Sequence, residues 1–273
     1  MKKRYLKILS LWVMIIFICI RILLEILIKD KGLYLLHDSI YRIINYSIIF
    51  LGLSLLPKNK IIRRVGYAIF GAIFIVNTLG YIKDFKSPLF YSYSPNKEHV
   101  VIIKETDDPI KGSYGLTIVH KIFVRIDDKF FTDDEYRTFS KGTYKVRWIE
   151  EDIATVTYLS GNRNKLIQHI YDYRASNATS YSNVLGSING KWIDKNNPSN
   201  KLDLTSGNIK LDIDGETYFY YFGNADEQGI SGTVLYGADG VPSVSIILNN
   251  DNTISVGLVS LNSEKFNAYV REA

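Results

Sequence analysis

Long apolar runs crowd the first third of the chain, and short alternating runs fill the rest. Ile8 to Ile28 reads ILSLWVMIIFICIRILLEILI, close to the roughly 20 residues a helix needs to cross a hydrocarbon core. A second run, Ile43 to Leu56, becomes a helix over 39–56 when extended back through Ser39 and Ile40. Arg42 then snorkels at its start and Pro57 ends it. A third run, Val65 to Ile82, reads VGYAIFGAIFIVNTLGYI. The pattern predicts a transmembrane block over 1–85 with three helices, about 8–28, 39–56 and 65–82. Beyond it the period changes to two, the signature of β structure. Thr143 to Ile149 alternates, with Tyr144, Val146 and Trp148 on one face and Lys145 and Arg147 on the other. Ile153 to Leu159 is its expected hairpin partner, and Leu166 to Tyr173 extends the sheet. His99–Lys104 and Leu116–Ile126 read as two further strands, and Thr132–Thr138 as a short helix.

These runs define a β-sheet module over 86–174. Small polar residues over 175–183 make a linker, and a denser series of strands fills 184–273. The expected strands there are 191–194, 201–204, 208–213, 216–222, 231–236, 243–248, 253–261 and 265–271. Asp214-Gly215 is the strongest short hairpin signal among their turns. Evenly spaced short strands predict an antiparallel meander curled into a small β-barrel. The fold class is thus a membrane-anchored α block followed by all-β modules.

Charge sets the orientation. Lys2, Lys3, Arg4 and Lys7 precede the first run, and Lys58, Lys60, Arg63 and Arg64 follow the second. Lys29, Lys31 and Arg42 in the other loop are diluted by Asp30 and Asp38. The positive-inside rule expects the N-terminus and the 57–64 loop in the cytoplasm, and three crossings carry the large C-terminal part outside a cell membrane. Failure of the second span would leave that part in the cytoplasm. The first run is too long for a cleaved signal peptide, and no small-residue cleavage site follows it. The net charge of +5 over 273 residues is largely this topological lysine and arginine. No basic stripe with interleaved aromatics points to nucleic acid. One cysteine, Cys19, excludes an intrachain disulfide and a cysteine-based zinc site. An outside domain without disulfides fits a Gram-positive bacterium.

Few residues carry chemistry. Arg21 and Glu25 share a helix face and are expected to pair within the membrane block. Ala68 and Ala72, with Gly71 beside them, form a small-residue face for close packing with another helix or a second copy. His37, His99, His120 and His169 are scattered and make no local metal motif. The acidic groups at 107–108, 133–135 and 150–152 read as solvated turns. Asp212–Glu216 lacks the later ligand of a calcium loop. No nucleophile elbow, P-loop or dinucleotide motif occurs. No catalytic residue, metal or cofactor is expected. In Tyr218-Phe219-Tyr220-Tyr221-Phe222, Tyr218, Tyr220 and Phe222 face one side of a strand, and Phe219 and Tyr221 the other. Such a strand serves a core or a stacking surface for sugar, lipid or peptide.

Gly190-Lys191-Trp192, entering the first strand of the last module, resembles the opening of lipocalin-like small barrels. That resemblance implies a tryptophan plugging one end and a barrel able to hold a small apolar ligand. The layout as a whole, with SPNKEHVVII and YKVRWIEEDIATVTY after a helical block, resembles an uncharacterised family of Gram-positive bacterial membrane-anchored proteins, a domain of unknown function that lends no activity. The expected function is a non-enzymatic, membrane-anchored protein whose extracytoplasmic β domain binds an envelope polymer, a lipid or a membrane-protein partner. Trp192, Tyr218, Tyr220 and Phe222 are its expected contact residues. The alternatives are an envelope hydrolase with a site assembled by the fold around His120 or His169, and an immunity-type or accessory subunit acting through its helices.

Overall fold

The computed structural model describes residues 2–85, 87–106, 112–130, 132, 137–161, 165–174, 184–205, 207–229, 231–238, 240–262 and 265–272. The expected linker at 175–183 and most of the expected helix at 132–138 lie outside them. The chain forms two compact units, Met1–Leu89 with Ile102–Phe130, and Phe90–Val101 with Phe131–Ala273.

The first unit begins with α1 (Lys2–Lys31), strand β1 (Tyr34–Leu35), α2 (Ser39–Leu55) and α3 (Lys60–Phe85). Gly32, at φ 61°, ends α1. Its N–H donates to Ile28 O, and Leu33 N–H donates to Leu27 O, the bonding of a glycine C-terminal cap. Asn59 starts α3 by accepting from the N–H groups of Ile61 (2.9 Å) and Ile62 (3.4 Å). This cap draws the helix start to Lys60, five residues before the apolar run. α1 and α3 are long and apolar enough to cross a bilayer, and most of their apolar side chains are exposed. α2, at 17 residues, rises only about 25 Å. Two candidate spans, rather than three, therefore meet the length requirement among the described residues.

The helices pack as antiparallel neighbours. Arg42 lies against Gly80, Asn45 bonds Asn77, Gly52 meets Phe70, and Leu56 meets Gly66. The two helices thus run past one another in opposite senses, with glycine at the close approaches. The same unit carries strands β4 (Ser113–His120) and β5 (Phe123–Phe130), together with residues 102–104 of β3 (Val100–Lys104), which pair with β4. What reads in sequence as one strand over 116–126 is a hairpin turning at Lys121-Ile122, a pair without glycine, proline or asparagine. β1 pairs with β5, placing Tyr34 opposite Val124 and Leu35 opposite Phe123. Lys104 forms an ion pair with Asp38. The α1–α2 connection is thereby bound to the sheet that follows α3.

In the second unit, β6 (Tyr144–Glu150), β7 (Ile153–Ser160) and β8 (Lys165–Asp172) form the expected antiparallel sheet. Strand β2 (Leu89–Tyr93), from Phe90 onward, supplies ring contacts. Phe90 meets Phe139 and Tyr144, while Ser92 accepts from Trp148 Nε1 at 3.1 Å. The short helix α4 (Val184–Ser187) leads into nine strands: β9 (Lys191–Asp194), β10 (Lys201–Asp203), β11 (Asn208–Ile213), β12 (Glu216–Tyr221), β13 (Ala225–Gln228), β14 (Gly232–Leu235), β15 (Val244–Leu248), β16 (Ile254–Leu258) and β17 (Phe266–Arg271). Each pairs antiparallel with its chain neighbour except β12 with β13, and β17 returns to β9. Nine strands alternating in direction would bring β17 back parallel to β9. The observed antiparallel closure requires β12 and β13 to run the same way. They are two halves of one strand, broken by the 3₁₀ turn Phe222–Asn224. The first half pairs with β11 and the second with β14. The circuit is therefore that of an eight-stranded barrel, open only at this break.

Side chains fill the interior. Trp192, Leu202, Leu211 and Tyr218 form one row across four strands. Ile209, Tyr220, Val244, Ile246, Val256 and Tyr269 are buried beside them. An eight-strand bore is just wide enough for this. The outer wall at Val234 and Ile247 packs on Ile153 and Ile170 of the three-stranded sheet. A satisfied polar bridge accompanies that contact. Gln168 donates to Thr157 (2.7 Å) and accepts from Ser245, and Gln228 donates to Gln168 O (2.9 Å).

Candidate functional sites

The break in the barrel concentrates the features from which a binding site can be built. β12 alternates as its sequence requires, and the closure of the barrel decides which face is inside. Tyr220 is buried and donates from its hydroxyl to Pro242 O at 2.8 Å. Burial, followed by the neighbouring Tyr218, raises its phenol well above the ordinary range. Tyr218 is half-buried against the same core. Trp192 is buried where β9 starts and β17 ends. Its Nε1 donates to Ile188 O at 2.8 Å, and the Arg271 guanidinium lies 4.9 Å from its ring centre. Phe222 sits in the 3₁₀ turn and is 38% exposed. The fold therefore assigns Trp192 and Tyr220 to the interior and leaves Phe222 at the surface. Phe219 and Tyr221 point outward, 61% and 68% exposed, on a strand whose second edge has no strand partner among the described residues. The sequence offered both faces of β12 without a signal for which one was inside. The unbroken interior row from Trp192 to Tyr218 supplies that signal.

Two open cavities flank the break. The larger, about 1030 Å³, is lined by Lys165, Asn224, Tyr236, Pro242 and Ser243 among others. Lys165 Nζ lies 4.4 Å from the centre of the Tyr236 ring, a cation–π contact. Burial, then Asp226, pushes the Tyr236 phenol up to about 12 against the hydrogen bond to Gln168 O. The smaller cavity, about 360 Å³, lies by Leu185, Leu204, Phe222 and Glu227.

The remaining candidates are structural in their surroundings. Arg21 and Glu25 pair at 2.6 Å, and the Arg21 guanidinium lies 4.8 Å from the Tyr41 ring centre. Ala68, Gly71 and Ala72 are exposed, and a Cβ at Gly71 would meet nothing within 4 Å. Contacts between the helices use Gly52, Gly66 and Gly80 instead. His99 stacks on Tyr173 at 4.7 Å and His169 on Tyr158 at 5.9 Å, whereas His120 is an exposed hairpin-tip residue of the other unit. Glu151 accepts from Ser94 and from Asn96 N–H. Asp214 (φ 52°) and Gly215 (φ 86°) make the predicted hairpin turn, while Asp212 is held by Lys210 and Thr217. Among the described residues no three His, Cys, Asp or Glu side chains converge as metal ligands. No protein-family model matches the chain, and no curated protein or solved structure is significantly similar to it.

Proposed function

We propose that the chain is a membrane-anchored binding protein whose β domain faces away from the cytoplasm and captures an envelope polymer or a partner protein at the break of its barrel. The outward pair Phe219 and Tyr221, on an open strand edge, carries this reading. Planar side chains beside unpaired backbone groups recognise an extended peptide or a sugar chain. Trp192 and Tyr220 support the site from within and make no direct contact in this reading.

The β1–β5 pairing supports the orientation. The α1–α2 connection is bound to the sheet that follows α3, so α2 and α3 either both cross or both fail to cross. With α3 long enough and α2 packed along it, both cross, and α1 carries the basic N-terminus to the opposite face. The short α2 is accommodated by Arg42 and the polar groups at its sheet-proximal end, which reach the interface. Among the described residues no helix after α3 is long and apolar enough to return. The open small-residue face of α3 favours a second mode, contact with another membrane helix or a second copy.

Two measurements test the proposal. Protease treatment of intact cells should degrade the β domain and spare the N-terminus; a domain protected until the cells are lysed would overturn the orientation. Cosedimentation of the full chain, reconstituted in vesicles, with purified cell-wall polymer, and crosslinking in cells from position 217, an exposed neighbour on the same face, should both drop about tenfold in a Phe219→Ala/Tyr221→Ala double variant, the loss of about 1.4 kcal/mol that two exposed aromatic contacts of about 0.7 kcal/mol each supply. Unchanged capture in both assays would remove this site.

A further inference from the structure

The β4–β5 hairpin carries an apolar tip where turns are ordinarily polar. Ile118, Val119 and Ile122 are 42%, 47% and 47% exposed, and His120 and Lys121 between them are exposed as well. Lys121 has φ 28°, and the strand register shifts between Ile118 and His120, leaving Val119 as an unpaired bulge. Bulges re-aim side chains at sheet ends, and this one adds an outward aliphatic group to the tip.

The first strand pair below the same tip is seated at the helix ends. Phe123 packs against the cluster of Leu24, Leu35 and Ile44, which Phe17 and Ile48 also join. Leu36 N–H donates to Ile122 O at 2.9 Å. The exposed Ile122 thus directly precedes a ring held among side chains of α1 and α2.

We propose that residues 118–122 enter the headgroup–acyl boundary of the bilayer as a wedge beside the helices, a second membrane contact made by a strand turn. This rests on the membrane reading of α1–α3 given above. Lipid is the occupant because the tip continues the apolar surface of helices that already lie in lipid. Its position at the sheet-proximal ends of α1 and α2 matches interfacial depth. Lys121 sets one cation at the level of anionic headgroups, where basic side chains are attracted. Three aliphatic groups in water beside that surface would form an exposed patch of the kind that marks a membrane or protein contact.

The test uses the full chain in phosphatidylcholine–phosphatidylglycerol vesicles, with Cys19→Ser as background and single cysteines replacing Val119, Asp127 or Val76. Each is labelled with an environment-sensitive fluorophore. Val76 is an outward residue of α3 and reports the anchor; Asp127 is an exposed residue farther along β5. The Val119 label should emit at shorter wavelength than the Asp127 label. Nitroxide lipids should quench it several-fold more strongly, with shallow nitroxides most effective, while Val76 responds to deep ones. Quenching at Val76 with Val119 no different from Asp127 would overturn the wedge and leave the anchor standing. Absence of quenching at both Val76 and Val119 would overturn the two together. An Ile122→Cys preparation reads the same tip should Val119→Cys fold poorly.

Discussion

The α2–α3 hairpin and the barrel solve the same packing problem with opposite materials. Along the helices, contact is made by glycine and by polar side chains. Asn45 bonds Asn77 at 3.0 Å, Tyr46 bonds Thr78 at 2.9 Å, and Gly52 admits the Phe70 ring. Within the barrel, contact is made by large apolar groups, and the polar tips of Trp192 and Tyr220 are paid off by backbone carbonyls. The difference is the one that the proposed membrane setting of the helices would produce. Water drives apolar groups together. Lipid is as apolar as leucine, so helices in it associate through close approach and hydrogen bonds. The barrel should therefore answer to lost volume, and the helix pair to lost shape and polarity.

Removing the largest interior group tests the comparison hardest. Trp192→Ala should cost about 3–5 kcal/mol, seen as loss of the cooperative thermal transition of the β domain by circular dichroism; a shift of a degree or two would mean that the interior is not the source of its stability. Next comes a charged pair at the end of the three-stranded sheet. Arg174 holds Asp172 through two hydrogen bonds of 3.0 Å. Burial works to raise the Asp172 carboxyl, but the guanidinium and the Arg174 N–H hold it below the ordinary carboxylate range. Arg174→Ala should cost about 1.5–3 kcal/mol at neutral pH. A lowered pKa stabilises above the unfolded value, near 3.9, and the benefit disappears as pH falls through the lower folded value. Denaturation curves of variant and parent should hence converge below about pH 4. Equal separation at pH 3 and pH 7 would mean that the pair is not what the variant removes.

Smaller effects are expected in the helices. Gly52→Leu would set a side chain where even an added Cβ would meet the Phe70 ring, at a cost of about 1–3 kcal/mol by overpacking. Asn45→Ala should weaken the helix pair by only about 0.6 kcal/mol, measured by unfolding in mixed micelles. An Asn45→Ala loss as large as that of Trp192→Ala would erase the contrast between the two regions. Smallest of all, Phe219→Ala should leave thermal stability within about 0.5 kcal/mol while lowering capture of the ligand.

Much of this fold was legible residue by residue. The helices follow from apolar runs and the end of α2 from Pro57, whereas α1 and α3 run past their apolar stretches to the caps at Gly32 and Asn59. Most barrel strands appear at the predicted places because period-two alternation and Asp214-Gly215 are local signals. The β4–β5 hairpin was not legible, since Lys121-Ile122 carries no turn residue and the apolar run passes straight through it. β13, Ala-Asp-Glu-Gln, has no strand character of its own and exists because β14 offers it an edge. Of the site, the aromatic strand was visible, but its exposed members were not.

The sequence alone determined most element types, the apolar helices, the basic flanks and the two faces of most strands, because these depend on neighbours within a few residues. Only the tertiary structure decided that the α1–α2 connection joins the sheet, that β12 and β13 are one broken strand, and that Phe219 and Tyr221 face out. Those outcomes depend on pairing between residues far apart in the chain. Alternation gives a strand two equivalent sides until closure of the barrel makes one of them the inside.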